Sequence, residues 1–177
     1  EITAYESDIS TQQEAIEAYE EELAQQTQLI SDLEKAISEL ESSLTYDGGM
    51  FQWPVPSYKY ISSDYGYRIN PITGAEQFHS GVDMAAASGA PILAAYDGQV
   101  VAAAYSSSMG NYIMIDHGDA LYTIYMHCSA LYVSTGATVS KGDKIAAVGT
   151  TGSSTGNHLH FGVRLNGSYV NPWNYLS

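Results

Sequence analysis

Apolar residues in the first 46 positions keep a strict seven-residue beat. Ile2, Ile9, Ile16, Leu23, Ile30, Ile37 and Leu44 recur every seven residues, and Tyr5, Gln12, Tyr19, Gln26, Leu33 and Leu40 sit three positions behind them. This is an a/d heptad pattern uninterrupted by Gly or Pro, and it predicts one long coiled-coil helix over residues 1–46. Fully helical, such a segment reaches ~70 Å at ~1.5 Å per residue. Its apolar stripe calls for a partner helix. The e positions include Glu6, Glu20, Glu34 and Glu41, the g positions Asp8 and Glu22, and almost no lysine answers them. Gln12 and Gln26 at d weaken a self-complementary seam further. The expected partner is therefore another helix, such as an upstream segment of the same protein. A weakly associating homodimer is the competing reading. Asp47-Gly48-Gly49 predicts the helix stop, and residues 47–50 a Gly-rich joint.

Beyond the joint the pattern changes to short apolar or alternating runs. Strands are predicted at Ile92–Ala95, Gly98–Ala104, Tyr112–His117, Leu121–His127, Lys144–Val148, His158–Leu165 and Tyr169–Val170. Turn signals separate them, among them Asp97-Gly98, Gly118-Asp119, Gly142-Asp143 and Asn166-Gly167. Close-spaced short strands with no helical period between them indicate a mainly β fold, an antiparallel β-sandwich or partly open barrel over residues 51–177.

Composition sharpens this division. Residues 1–46 hold 12 acids against Lys35 alone, and the remaining residues hold 8 acids and 5 bases. All 16 glycines lie beyond residue 47. With a net charge of −14 there is no basic footprint for nucleic acid. No run approaches the ~18 apolar residues of a membrane-spanning helix. The chain opens on Glu1 without an apolar leader, as a processed or trimmed chain does. Its one cysteine, Cys128, excludes an intrachain disulfide and a Cys-rich metal cluster.

All five histidines fall in the β-rich part: His79, His117, His127, His158 and His160. His79 and Asp83 are four residues apart, and His158 and His160 are two apart. Residues i, i+2 and i+4 of an extended chain share a face, so each pair is able to point one way. Two imidazoles and a carboxylate with a fourth position left to water form the usual set for catalytic zinc. Structural zinc sites use four protein ligands, often cysteine, and this chain has only Cys128. No His-Glu-x-x-His and no nucleophile elbow is present.

Four blocks then carry a resemblance. Gly66-Tyr67-Arg68, Phe78-His79-Ser80-Gly81-Val82-Asp83, Tyr125-Met126-His127 and Gly152-Ser153-Ser154-Thr155-Gly156-Asn157-His158-Leu159-His160-Phe161 resemble the signatures of the lysostaphin/LytM-type zinc endopeptidases. Those enzymes cut the peptide part of bacterial peptidoglycan. The likeness runs from about Phe51 to Leu176, closes on Asn171-Pro172-Trp173, and leaves out the heptad segment.

The resemblance implies one Zn2+ ion held by His79, Asp83 and His160, with His127 and His158 as catalytic groups beside it. Which of these two is the general base stays open. Tyr125 and Asn157 are the expected substrate contacts. His117 and Cys128 are expected to be structural, the latter as a small buried hydrophobe. Peptidoglycan peptides are the implied substrate, and an extracytoplasmic location, secreted or in the wall or periplasm, follows from that substrate. Some relatives of this kind lose the zinc residues and activate separate wall hydrolases. Since this chain keeps them, an enzyme is expected, with a regulatory or activator module docked through its coil on a membrane or divisome regulator as the alternative.

Overall fold

The computed structural model describes residues 2–43, 46–70 and 73–176. The chain divides into two compact units, Glu1–Ser43 and Leu44–Ser177. In the first, α1 runs unbroken over Ile2–Ser43. Its Ala, Glu, Gln and Leu content favours helix at nearly every position. Side-chain bonds one turn apart add to this, such as Gln28 Nε2 to Asp32 Oδ1 at 3.0 Å. The predicted stripe lies open, with Ile16 55%, Leu23 65% and Ile30 57% exposed. Seam positions Ile2, Tyr5, Ile9, Ile37, Leu40 and Leu44 lie outside the residues whose side chains are described.

The second unit contains strands β1 (Tyr60–Ser63), β2 (Gly66–Ile69), β3 (Glu76–His79), β4 (Gly81–Ala85), β5 (Pro91–Leu93), β6 (Gly98–Ser106) and β7 (Gly110–Asp116). They are followed by β8 (Leu121–Cys128), β9 (Ala130–Leu131), β10 (Thr138–Val139), β11 (Lys144–Ala147), β12 (His158–Leu165) and β13 (Ser168–Val170), then a 3₁₀ turn at Pro172–Asn174. The main sheet has the order β1-β4-β12-β8-β7-β6-β10, with β13 also paired to β12. A three-stranded sheet (β5-β11-β9) and the β2-β3 hairpin complete the unit. All the pairings are antiparallel, and the sheets do not close into a barrel.

The seven strands predicted from periodicity correspond to β5, β6, β7, β8, β11, β12 and β13, with ends shifted by up to two residues. Those missed are β1–β4, β9 and β10. β4 is buried at every position, with Asp83 inside it, so it shows no polar-apolar alternation. Asp47–Gly49, expected as a joint, bonds within the β unit: the Tyr96 hydroxyl bonds to the Asp47 carboxylate, and Tyr46 O–H donates to Gly49 O at 2.6 Å. Phe51, Val82, Met84, Ile92, Ile113, Ile145, Leu159, Phe161 and Val163 are among the residues of a single core. Along β12, Leu159, Phe161 and Val163 face that core while His158 and His160 share the opposite side.

Candidate metal centre and catalytic cleft

An open cleft of about 470 Å³ lies over the β4, β12 and β8 strands. Its floor carries three of the predicted residues. β4 and β12 pair so that Asp83 stands directly opposite His160. His79, at the end of β3, approaches from the other side. His160 Nδ1 lies 2.9 Å from Asp83 Oδ1 and 3.0 Å from His79 Nε2, and His79 Nε2 lies 3.1 Å from Asp83 Oδ1. All three side chains are buried, and among the described residues they form the one cluster of ligating type that converges this way.

Tautomers follow from the outer hydrogen bonds. His79 Nδ1 donates to the Asp64 carbonyl at 2.7 Å, which leaves the Nε2 lone pair aimed at Asp83. A lone pair and a carboxylate oxygen at 3.1 Å repel unless a cation or proton lies between them. Two imidazole nitrogens and one carboxylate oxygen with an open side therefore fit a divalent metal. Burial alone would raise the Asp83 pKa. The neighbouring His160 and His79 rings outweigh it and hold the carboxyl below the usual carboxylate range. Burial lowers the His160 pKa despite Asp83, which favours the neutral ring that a metal needs.

Close approach at this point requires glycine. A Cβ on Gly81 would meet Phe161 O at 2.5 Å and His160 Nε2 at 2.7 Å. Only a bare backbone lets the His160 ring lie against β4.

His127 and His158 occupy the neighbouring wall, their ring centres 4.8 Å apart. His127 Nδ1 donates to Thr151 O and His158 Nδ1 to Gly156 O, both at 2.8 Å. Each imidazole thus keeps an Nε2 free, and His158 Nε2 is 3.7 Å from Asp83 Oδ1. Burial pushes the His127 pKa down to about 4, so this ring is neutral near pH 7. Plain alternation would send His127 to the core with Tyr125. At φ +65 the chain leaves the extended conformation; His127 lines the cleft and Cys128 turns into the core.

The two expected substrate contacts are not in the cleft. Tyr125 is fully buried, its hydroxyl accepting from Ala95 N–H at 2.9 Å and paired with the Thr123 hydroxyl at 3.0 Å. Burial pushes its pKa up to about 12. A phenol enclosed this way has no face for a substrate, which corrects that expectation. Asn157 is exposed but outside the lining. His117 is structural as expected: Nδ1 donates to Asp97 O and Nε2 pairs with Thr123 Oγ1, both at 2.7 Å.

Sequence reasoning assigned no role to Arg68. Its Nη1 donates to Ser63 Oγ at 2.6 Å and lies 3.5 Å from Asp83 Oδ2. The Gly66-Tyr67-Arg68 block was the signal. Ser63, Gln77, Phe78, Ser154 and Thr155 also line the cleft.

Residues 77–172, which include every metal and catalytic candidate, match the model of peptidase family M23. A metalloprotease of Haemophilus influenzae is 41% identical over 130 residues, 72% of this chain and 27% of the relative. The DD-carboxypeptidase/endopeptidase Mpg of Neisseria meningitidis is 43% identical over 115 residues, 65% of this chain and 26% of that protein. The chain thus spans about a quarter of the length of these relatives. The catalytic domain of the antimicrobial peptidase lysostaphin from Staphylococcus simulans superposes with a TM-score of 0.62 at 33% identity, covering 67% of this chain and 92% of that domain. With a family match across more than half of its length, and the converging histidines and aspartate inside the matched segment, this chain belongs to peptidase family M23.

Proposed function

We propose that the β unit is a zinc endopeptidase that hydrolyses peptide bonds of peptidoglycan outside the cytoplasm. The observation that carries this reading is the convergence of His79 Nε2, Asp83 Oδ1 and His160 Nδ1 within 3.1 Å on the floor of an open cleft. Relatives named as DD-endopeptidases supply the substrate class. Zinc, when bound, polarises the scissile carbonyl and makes water more acidic. The chain's own groups do the rest. His79, Asp83 and His160 would hold the ion on the cleft floor.

His127 and His158 face the cleft, each with its Nε2 left open by the bond its Nδ1 makes. One of them accepts the proton of the attacking water. As an imidazolium it then steadies the developing oxyanion and returns the proton to the leaving amine. Arg68 holds the outer oxygen of Asp83, which leaves Oδ1 for the ion.

Digestion of purified peptidoglycans, read by mass spectrometry with and without a zinc chelator, tests the reading. New peptide termini that vanish with chelator and return with zinc are expected. Zinc-loaded protein that releases no fragment from any wall type would overturn it in favour of an activator role.

The exposed stripe of α1 supports a second element, a partner helix whose basic flanks answer the acidic e and g positions, through which hydrolysis is regulated. Sedimentation of the full chain tests this. A tight homodimer would replace the hetero-partner with a second copy.

A further inference from the structure

The Asn171-Pro172-Trp173 ending has no role in the chemistry above, yet it reaches the metal centre through one residue. Trp173 Nε1–H donates to Asp64 Oδ1 at 2.6 Å, and the same oxygen accepts from Tyr65 N–H at 2.8 Å. The Asp64 carbonyl, in turn, accepts from His79 Nδ1 at 2.7 Å. Asp64 and Tyr65 form the short link between β1 and β2, strands that belong to different sheets, and Asp64 is exposed. Asp64 itself is paired in neither ladder, although Ser63 lies opposite Asp83 and Gly66 opposite His79. Two tethers to the C-terminal segment add to these: the Trp173 bond, and Tyr65 O–H donating to Tyr169 O at 3.3 Å. Trp173 is itself anchored, its N–H donating to Asn171 Oδ1 at 3.1 Å and its ring packed edge-on against Trp53 at 5.8 Å.

We propose that Asp64 and Trp173 form a positioning clamp that holds the Asp64 carbonyl against His79 Nδ1 and so presents Nε2 to the metal. The proposal rests on the metal-site reading above. A carbonyl held at Nδ1 selects the tautomer and fixes the ring plane, and groups that orient ligands in this way typically govern metal affinity by ~10–100-fold. Asp64 and Trp173 act one bond further out, so the lower end of that range, about tenfold, is expected.

The experiment compares the wild-type chain with Asp64→Ala, Asp64→Asn, Trp173→Phe and the Asp64→Ala/Trp173→Phe pair. Zinc affinity is measured by competition with a chromogenic chelator, and the melting temperature of the metal-free protein is measured alongside. Asp64→Ala and Trp173→Phe should each weaken zinc about tenfold, and the pair no more than Asp64→Ala alone, because without the Asp64 carboxylate the Trp173 bond is already gone. Asp64→Asn keeps an oxygen for both donors and should bind near the wild-type level. The metal-free melting temperature should move little, which separates ring positioning from general destabilisation. Wild-type chain that binds no zinc would overturn the metal-site reading itself. Tight zinc binding by the wild type and equally by Asp64→Ala and Trp173→Phe would overturn the clamp alone. Losses that add in the pair and follow metal-free melting would also overturn it, because the residues would then be merely structural.

Discussion

α1 and the β4–β12 strand pair handle polarity in opposite ways. On α1 the large apolar groups stand open, with Ile16, Leu23 and Ile30 more than half exposed between acidic flanks. In the β unit it is the ionisable groups that are enclosed: His79, Asp83, His127 and His160 are each at most 7% exposed. A helix closes its backbone hydrogen bonds within itself, so α1 needs no cover for its stripe in order to form. A strand takes its hydrogen bonds from its neighbours, and the same registry that supplies them sets Asp83 against His160. Exposed apolar area holds stabilisation that is realised only on contact. Buried polar groups cost stability unless paired, and the cleft pairs nearly all of its own. The helix leaves large apolar groups open to water, and the strand pair encloses a cluster of groups of metal-ligating type.

The sharpest way to break this comparison is His160→Ala. It should leave no stoichiometric zinc by elemental analysis and no hydrolysis above background. A variant that retained activity would remove His160 from the metal set. His127→Ala comes next. It should keep zinc while kcat falls by ~10²–10⁴-fold, the usual share of a positioned acid–base group, and zinc loss in this variant would assign His127 to the metal. Gly81→Ala tests the close approach of β4 to β12. The added methyl meets backbone at 2.5 Å and should cost ~1–3 kcal/mol in denaturant unfolding, with weakened zinc binding.

A smaller effect concerns His117. Burial lowers its pKa below the ordinary 6.5. As pH falls through ~6.5 the unfolded chain takes up a proton that the folded chain refuses, so stability declines, by at most ~1.4 kcal/mol per pH unit. Denaturant curves at pH 7.5 and 5.5 should show a shallower decline for His117→Gln than for the wild type. Smallest of all, Leu23→Gln with Ile30→Gln on α1 should leave the β-unit unfolding transition within ~0.5 kcal/mol. A larger shift would mean that the exposed stripe already contributes to the stability of the β unit.

Periodicity read α1 almost to its ends, because a seven-residue repeat is a local property. It also read β12 residue for residue, since Leu159, Phe161 and Val163 alternate with His158, His160 and Gly162. It failed at β4, where both faces are covered and Asp83 sits among buried neighbours, and at β1–β3, whose short runs mix Tyr, Ser and charge. The spacing of His79, Asp83, His158 and His160, together with the resemblance, pointed to a candidate metal cluster, and the structure brings His79, Asp83 and His160 together. Tyr125 was misplaced because its neighbours in the Tyr-Met-His block mark the cleft, while its own ring packs on the core side of β8.

The amino-acid sequence by itself determined the long helix, the mainly β unit and the residue types that a metal could use, because these rest on local spacing and side-chain chemistry. Only the tertiary structure decided which nitrogen His79, His127 and His158 turn to the cleft, that His127 reaches it through a left-handed residue, and that Arg68, Asp64 and Trp173 lie next to the His79–Asp83–His160 cluster. Those outcomes depend on strand register and on carbonyls brought in from distant parts of the chain, and no local pattern encodes a hydrogen bond between Trp173 and Asp64 across 109 positions.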